Sequence, residues 1–383
     1  MLDVEEIVLR EIRLPLVEPF QSSSGTITDR RIFLVQVIDK DGRVAWGECV
    51  GGDAPNYSPE TIDTCWLMIR DYISPRMLER SFADPREVYP VLEENFLGHN
   101  MAKAAVEMAM WELAAQIEGV PLARLLGGTR EKIGTGISLG IQKDPQTIAE
   151  KAGKALAQGY RKIKMKIKPG KDIEYVAAVR EALGPDAPIM VDANSAYTLA
   201  DMETLKQLDS FGLVMIEQPL GWDDVVRHAT LQNELTTPIC LDESITGIEK
   251  AEDMINLGSG KIINIKPGRL GGFSPSLAVH GLCQEHGIPL WCGGMLESGV
   301  GGAHNVALAS LPNFSIPGDV SPSARYWEQD IVTPEWTMDE EGFVTVPLDT
   351  PGLGVTVDEK RIESLTIMAE SITRGSEPLR SRR

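Results

Sequence analysis

Short apolar runs alternate with amphipathic stretches from about residue 132 onward. The apolar runs predict strands, and they read IGTGISLGI, RKIKMKI, APIMVDAN, LVMIEQP, PICLDES, KIINIKP and IPLWCGG. Between them, apolar residues recur three or four positions apart, as Ile173, Val176 and Val179 do in DIEYVAAVREALG, and this spacing predicts helices. Strands that alternate with helices in this way predict a parallel sheet covered by helices.

Five charged residues end successive predicted strands: Lys166, Asp192, Glu217, Asp242 and Lys266. They follow one another at intervals of 24 to 26 residues, about the length of one strand, one helix and two short loops. Each residue therefore occupies the carboxyl end of its own strand. In a (β/α) barrel these ends converge on one mouth, whereas an open doubly wound sheet would spread them along an edge. The regular spacing favours the barrel.

The segments outside the barrel have other patterns. Residues 1–127 begin with strand-like runs, including RRIFLVQV and RVAWGECV joined by a DKDG turn, and continue into helical stretches such as NMAKAAVEMAMWELAAQIEG. We expect an α/β protein with three parts. An α+β capping domain would span residues 1–127, the catalytic barrel would span residues 128–324, and residues 325–383 would return to the capping domain.

The stretch KIKMKIKP, residues 162–169, has lysine at every second position. In a barrel strand, Ile163, Met165 and Ile167 would face the helices, and Lys164 and Lys166 would face inward. An inward ammonium group is costly to desolvate, so these lysines need anions near the open mouth. The alternative is an exposed strand of an antiparallel sheet, which the helical flanks and the following Pro-Gly disfavour.

Composition limits the classes of function. The 383 residues are 43% hydrophobic and carry a net charge of −19, which argues against nucleic acid or an anionic membrane as a partner. No apolar run approaches the roughly 18 residues of a membrane span, and the first residues lack a signal-peptide pattern. The five cysteines are scattered without CxxC spacing. We therefore expect a cytoplasmic protein with reduced cysteines and no zinc site.

The charged strand ends suggest a chemistry. Asp192, Glu217 and Asp242, converging without histidine or cysteine, describe an oxygen site that favours Mg²⁺ or Mn²⁺ over zinc, although any one of them alone could be a solvated helix cap. Lys166 and Lys266 would stand on opposite walls. A divalent cation on a substrate carboxylate would stabilise an enediolate, and the two lysines would then permit either racemisation or an elimination. We also expect nearby cations to lower the pKa of a lysine base.

Several motifs together resemble a known family. KIKMKIKPG, VDANSAYTL, IEQPL, PICLDES, NIKPGRLGG and WCGGMLESG are similar to the muconate-lactonizing subgroup of the enolase superfamily, within it the o-succinylbenzoate synthase/N-succinylamino acid racemase group. The resemblance implies a modified (β/α)7β TIM-like barrel with an α+β capping domain. It implies a Mg²⁺-dependent lyase of menaquinone biosynthesis, an N-acylamino acid racemase, or both. It further implies a small-molecule carboxylate substrate and a homo-oligomer, either a dimer or an octamer.

The resemblance also implies roles for individual residues. Lys166 and Lys266 would be the acid/base pair, and Lys164 an electrostatic helper. Asp192, Glu217 and Asp242 would bind Mg²⁺, Mn²⁺ or another divalent metal, with Glu243 and Asn194 beside them. The residues implied to contact the substrate are Ser138, Asn194, Gly293, Met295, Phe20, Tyr57 and Arg269, the last acting through Lys266. The sequence departs from the family at Gly302, where relatives commonly have arginine.

Other functions stay open at this point. Within the superfamily, dipeptide epimerisation and muconate cycloisomerisation use the same kind of site. From another class, the chain could be a non-catalytic barrel that only binds a metal and an acidic ligand. The presence of both Lys166 and Lys266 argues against such a barrel, because a binding site has no need of desolvated ammonium groups.

Overall fold

The computed structural model describes residues 1–375, which form a strand-rich capping region and a barrel of parallel strands. The first strands are β1 (Leu2–Gln21), β2 (Thr26–Asp39), β3 (Val44–Cys49) and β4 (Ser81–Phe82). The helices that follow are α1 (Ile62–Met68), α2 (Ser74–Leu78), α3 (Val88–Glu93), α4 (Asn100–Glu118) and α5 (Leu122–Leu125). A π-helical turn covers Ile69–Ile73, and a 3₁₀ turn covers Pro85–Glu87.

Helix α4 packs between the capping sheet and the barrel. Its side chains are buried on every face along most of its length, as expected for a helix that is apolar all round. On one side it meets β3 so closely that a Cβ atom at Gly47 would lie 1.9 Å from the backbone oxygen of Ala105. Gly47 is therefore required by the close approach of strand and helix.

The central part of the chain builds the barrel. After the short strand β5 (Lys132–Gly134), which lies outside the barrel sheet, its strands are β6 (Ile137–Leu139), β7 (Ile163–Lys166), β8 (Ile189–Asp192), β9 (Ile216–Glu217), β10 (Ile239–Leu241), β11 (Ile262–Ile265) and β12 (Leu290–Cys292). Its helices are α6 (Pro145–Ala157), α7 (Ile173–Leu183), α8 (Met202–Gln207), α9 (Val226–Gln232), α10 (Ile248–Leu257), α11 (Pro267–Leu270), α12 (Phe273–Glu285) and α13 (Gly299–Ala309). Short 3₁₀ turns cover Leu199–Asp201 and Leu208–Phe211.

Strands β6 to β12 form one parallel sheet in chain order. Ile163 and Met165 pack in the core that includes the surrounding helices, and Lys164 lies opposite Met190 on the neighbouring strand. Met190 belongs to a separate apolar cluster that also contains Cys240 and Trp291. The inward orientation of the lysines is confirmed, and the alternative of an exposed antiparallel strand is wrong, because β7 has parallel neighbours on both sides.

A short segment, residues 316–320, closes the barrel. On one side, Ile316 and Asp319 donate backbone hydrogen bonds to the carbonyl oxygens of Leu290 and Cys292 on β12. On the other side, Gly136 donates to the carbonyl oxygen of Gly318 at 2.6 Å, just before β6 begins. The curled sheet with its closing segment and its capping sheet confirms the predicted fold class.

The last described residues run beside both regions. Their elements are β13 (Val332–Thr333), β14 (Phe343–Thr345), β15 (Thr356–Val357), α14 (Glu359–Leu365) and β16 (Thr366–Thr373), with a 3₁₀ turn at Ser323–Arg325. Strand β14 pairs with β5, whereas β16 pairs antiparallel with β1 in the capping sheet. The boundaries after residues 127 and 324 stay a prediction, and residues 376–383 of the predicted C-terminal segment lie outside the described residues.

Candidate active site

A cavity of about 570 Å³ lies between the capping loops and the mouth of the barrel. Phe20 and Tyr57 line it from the capping side. Lys166, Lys266 and Met295 line it from the barrel side, as does Asn194. Strands β7 and β11, which end at the two lysines, are separated by three strands in the sheet. The cavity therefore has an amine on each of two separate walls.

Lys166 is held by two oxygen atoms of the next strand end. Its Nζ donates to Asp192 Oδ2 at 2.6 Å and to Asn194 Oδ1 at 2.7 Å. Asn194 has a φ angle of 41°, which is uncommon for a residue other than glycine. In this conformation its backbone N–H donates to Asp192 Oδ1 at 2.9 Å, and its side chain donates to Glu243 Oε1 at 2.9 Å. The strained turn after β8 thus fixes both partners of Lys166.

Lys164 contacts three carboxylates in the barrel interior. Its Nζ lies 2.5 Å from Asp319 Oδ2, 3.3 Å from Glu217 Oε2 and 3.4 Å from Asp192 Oδ2. Burial raises the pKa of Glu217 to about 8, and the charges of Asp192 and Asp242 act in the same direction. Glu217 also accepts a hydrogen bond from Asn264 at 2.8 Å. The three strand-end acids are thus close enough to repel one another, and a lysine offsets part of that repulsion.

Lys266 has hydrogen-bond partners different from those of Lys166 and Lys164. Its Nζ donates to Tyr57 Oη and to Asp242 Oδ2, both at 2.8 Å. The other oxygen of Asp242 accepts from Arg269 at 2.5 Å, and Arg269 also donates to Tyr57 at 3.3 Å. Tyr57 belongs to the capping region, so Lys266 is one of the points at which the capping region contacts the candidate catalytic residues.

The pKa of Lys266 differs from our expectation. Burial alone would lower it, but the attraction of Asp242 outweighs burial, and the pKa of Lys266 is raised. The pKa of Lys164 is likewise raised well above its usual value, since Asp319, Glu217 and Asp192 outweigh its desolvation. Arg269 and Lys164 do lower the pKa of Lys266, as expected of nearby cations, but Asp242 outweighs them, and the lowering by a bound metal ion stays a prediction.

The carboxylate oxygens of Asp192, Glu217 and Asp242 are of the kind that a hard divalent cation prefers. Among residues 1–375, no group of three or more His, Cys, Asp or Glu side chains has an arrangement that could hold a metal ion. Each predicted ligand is paired with a basic side chain instead. Nevertheless, the ammonium of Lys164 already bridges an oxygen of Asp192 and an oxygen of Glu217, and Glu243 Oε2 is buried without a hydrogen-bond partner. These oxygens can therefore accept a cation when the lysine contacts rearrange.

The other predicted substrate residues divide into two groups. Phe20, Tyr57 and Met295 line the cavity. Ser138, Gly293 and Arg269 are not among the described residues that line it. Ser138 is buried in β6 with its hydroxyl unpaired, and Gly293 packs against Lys266, where a Cβ atom would come within 2.7 Å of the lysine Cε. Ser138 lies opposite Lys164 on the neighbouring strand, and Gly293 leaves room for the Lys266 side chain.

The structure brings three further residues to the site. Asn264 donates to Glu217, Asp319 pairs with Lys164, and Lys162 lies 3.4 Å from Asp319 Oδ1. Lys162 belongs to the KIKMKIKP run, so the alternation itself could have indicated it. Asp319 lies in SIPGDVSPS, where no strand pattern precedes it, and the sequence alone gives no sign of its role.

Comparison with known proteins settles the family. Residues 147–361 match the enolase C-terminal domain-like family. Residues 4–127 match the N-terminal domain of mandelate racemase and muconate lactonizing enzyme. The chain belongs to the enolase superfamily. Enzymes of the superfamily that share these two domains depend on a divalent metal in general.

Individual members of the superfamily match over nearly the full length. The chain is 47% identical to o-succinylbenzoate synthase of Geobacillus kaustophilus, over 96% of this chain and 97% of the relative. It is 46% identical to N-succinylamino acid racemase of Thermus thermophilus, over 95% of this chain and 97% of the relative. Among solved structures, a superfamily member from Listeria innocua superposes with a TM-score of 0.94 at 39% identity, over 98% and 100% of the two chains. Within residues 1–375 no helix is both long and apolar enough to cross a membrane.

Proposed function

We propose that the protein is a Mg²⁺-dependent enzyme that removes the α-proton of a small carboxylate substrate and forms an enediolate. It would act as o-succinylbenzoate synthase, as a racemase of N-succinyl (N-acyl) amino acids, or as both. The observation that carries the proposal is the position of Lys166 and Lys266 at the ends of β7 and β11, facing one cavity with carboxylates on the strands between them. The full-length relatives with these names support it.

The two lysines would exchange roles according to the hand of the substrate. One neutral amine removes the α-proton from one face, and the ammonium on the opposite wall donates a proton to the other face, which inverts the centre. In the dehydration, one lysine removes the proton and then assists the departing hydroxide, while the other steadies the anion. Lys164 contributes fixed positive charge beside Lys166.

Asp192, Glu217 and Asp242 would hold the Mg²⁺ ion, with Glu243 and Asn194 supporting them. A bound divalent cation supplies the positive charge that stabilises the enediolate. Tyr57 and Phe20 would close the cavity over the apolar part of the substrate, and Met295 would contact it from the barrel. Arg269 would act indirectly, through its contacts with Asp242 and Tyr57.

The experiment compares two substrates with one enzyme preparation. The protein and Mg²⁺ are incubated in D₂O with N-succinyl-L-phenylalanine, and separately with the cyclohexadiene substrate of the synthase. Deuterium at Cα with loss of optical rotation supports the racemase, and rapid dehydration supports the synthase. The ratio of the two kcat/KM values decides which activity is favoured. If neither reaction occurs although metal binds, the non-catalytic barrel is the better description.

Lysine variants test the two-base assignment. Lys166→Ala and Lys266→Ala should each abolish racemisation from either hand. Lys168→Ala is the matched control, because Lys168 comes from the same lysine run but does not line the cavity among the described residues. Robust turnover by either of the first two variants would refute the assignment. Dipeptide epimerase and muconate cycloisomerase are weaker alternatives, since such relatives are 24% to 27% identical.

A further inference from the structure

Lys164 and a divalent cation would use the same oxygen atoms. The ammonium lies 3.4 Å from Asp192 Oδ2 and 3.3 Å from Glu217 Oε2, and both acids are proposed metal ligands. Since a lysine that binds these oxygens competes with a metal ion for them, the site needs another anion to hold the ammonium. Asp319 is nearer than either acid, with its Oδ2 at 2.5 Å from the same nitrogen.

The barrel closure fixes Asp319 in place. Its backbone N–H donates to the carbonyl oxygen of Cys292 at 2.8 Å, and the preceding Gly318 accepts from Gly136 at 2.6 Å. A Cβ atom at Gly318 would lie 2.7 Å from the oxygen of Cys292, so the segment fits tightly against β12. The Asp319 side chain is almost fully buried. It therefore presents a rigid negative charge to Lys164.

Lys162 lies near the other oxygen of Asp319 without forming a hydrogen bond to it. Its Nζ lies 3.4 Å from Asp319 Oδ1 and 3.4 Å from the centre of the Trp291 ring. No ion pair joins Lys162 to Asp192 or Glu217 in the described chain. Lys162 thus shares the Asp319 carboxylate with Lys164, and it forms no ion pair with the proposed metal ligands among the described residues. This difference makes the two lysines a useful pair for an experiment.

We propose that Asp319 is a positioning residue that draws the Lys164 ammonium toward itself, so that the contacts of Lys164 with Asp192 and Glu217 stay long and those carboxylates can bind the divalent cation. The inference rests on the proposed function only in assigning these two acids to a metal. It gives Asp319 a role in metal affinity although it is not itself a ligand. Loss of its charge would let Lys164 move closer to Asp192 and Glu217, which it already contacts at 3.4 Å and 3.3 Å.

The test measures Mn²⁺ binding by isothermal titration calorimetry without substrate. Asp319→Asn keeps the size of the side chain and an oxygen that can accept from Lys164, but removes the charge. It should weaken Mn²⁺ binding roughly tenfold, the lower end of the effect of residues that support metal ligands. Asp319→Glu, which keeps the charge, should restore most of the affinity. Unchanged affinity in the Asn variant overturns the inference.

A second background separates positioning from damage to the fold. With Lys164→Met the lysine that Asp319 positions is absent, while the contact of Lys166 with Asp192 is present in both variants, so adding Asp319→Asn should leave Mn²⁺ affinity unchanged. An equal loss in both backgrounds overturns the inference. If Asp319→Asn does not fold, Lys162→Met replaces it: Asp319 then has Lys164 as its remaining ion-pair partner among the described residues, and Mn²⁺ binding should hold or tighten. Weaker binding in that variant overturns the inference.

The wild-type enzyme separates this inference from the proposed function. If the wild type binds Mn²⁺ and exchanges the substrate α-proton, but the Asp319 variant binds Mn²⁺ equally well, only the role of Asp319 is wrong. If the wild type neither binds Mn²⁺ nor exchanges the proton, the proposed function is wrong, and the role of Asp319 fails with it.

Discussion

The carboxylate of Glu48 accepts a hydrogen bond from the hydroxyl of Ser298 at 2.6 Å. Glu48 lies on β3 of the capping sheet, and Ser298 immediately precedes α13 of the barrel. The same carboxylate accepts the backbone N–H groups of Ser298 at 3.0 Å and Gly301 at 2.9 Å. An acid of one region therefore caps a helix of the other, where helical N–H groups otherwise lack acceptors. Glu107 on α4 does the same for α12, accepting the N–H of Phe273 at 2.6 Å.

We predict that Glu48→Ala destabilises the protein by about 1–3 kcal/mol, because it leaves buried N–H donors of α13 without an acceptor. The free energy of unfolding from urea denaturation measures the effect. Glu252→Ala is the control, since Glu252 is exposed on α10 and its removal should change stability by less than about 0.5 kcal/mol. Equal stability of the two variants would contradict the capping role.

The free energy of unfolding should also fall as the pH rises, because Glu112 loses its proton in the folded protein. This residue is buried in α4 and accepts hydrogen bonds from the Trp46 N–H and, at 3.0 Å, from Gln116. Burial raises the pKa of Glu112 from 4.5 to about 8. Between those values the folded state binds more protons than the unfolded state. This contribution to stability is therefore complete below pH 4.5 and is lost as the pH rises through about 8.

Glu112→Gln, which cannot titrate, should show a smaller decrease in the free energy of unfolding between about pH 6 and pH 9 than the wild type. The decrease should not vanish, because burial also raises the pKa values of Glu48 and Glu107 to about 7. Urea denaturation at several pH values gives the slope. A slope identical to that of the wild type would show that Glu112 titrates normally in the folded protein.

The sequence predicted the barrel and its strand-end residues because parallel strand–helix units have nearly constant length. Asp192, Glu217 and Asp242 each follow an apolar run, so their convergence could be inferred from spacing alone. Asp319 could not be found this way. It lies on a closing segment that is placed by hydrogen bonds to β12 and to the residues before β6, and neither partner is a neighbour in the sequence. Glu48 reads simply as part of the strand VAWGEC, since its partner lies 250 residues away.

Gly293→Ala should reduce activity through Lys266. A Cβ atom there would lie 2.4 Å from Asn264 Oδ1 and 2.7 Å from Lys266 Cε, so the lysine must shift. We expect kcat for the racemisation to fall at least about tenfold, because a displacement of about 1 Å costs more than that in oriented reactions. Gly281→Ala is the matched control: it lies in α12, and its Cβ would meet nothing within 4 Å. Undiminished kcat in Gly293→Ala would show that Lys266 has room to adapt.

Tyr57→Phe should impair the half-reaction in which Lys266 is the base more than the half-reaction in which Lys166 is the base. Tyr57 accepts a hydrogen bond from Lys266 at 2.8 Å, and no hydrogen bond joins it to Lys166 in the described residues. Because racemisation has an equilibrium constant of one, kcat/KM is the same from both hands and cannot separate the two bases. Exchange of the α-proton with D₂O can separate the two bases if it is measured in variants that lack one lysine or the other.

In Lys166→Ala the remaining base is Lys266, and in Lys266→Ala it is Lys166. Adding Tyr57→Phe should slow exchange about tenfold in the first background, since a hydrogen bond to a charged group contributes roughly 1.5–3 kcal/mol. It should have little effect in the second. The comparison distinguishes positioning of Lys266 from simple loss of substrate contact, because a weakened cap would slow both backgrounds alike. Equal slowing in the two would therefore assign Tyr57 to the substrate or to the proposed metal ligand Asp242, to which its hydroxyl donates at 3.1 Å, and not to the lysine.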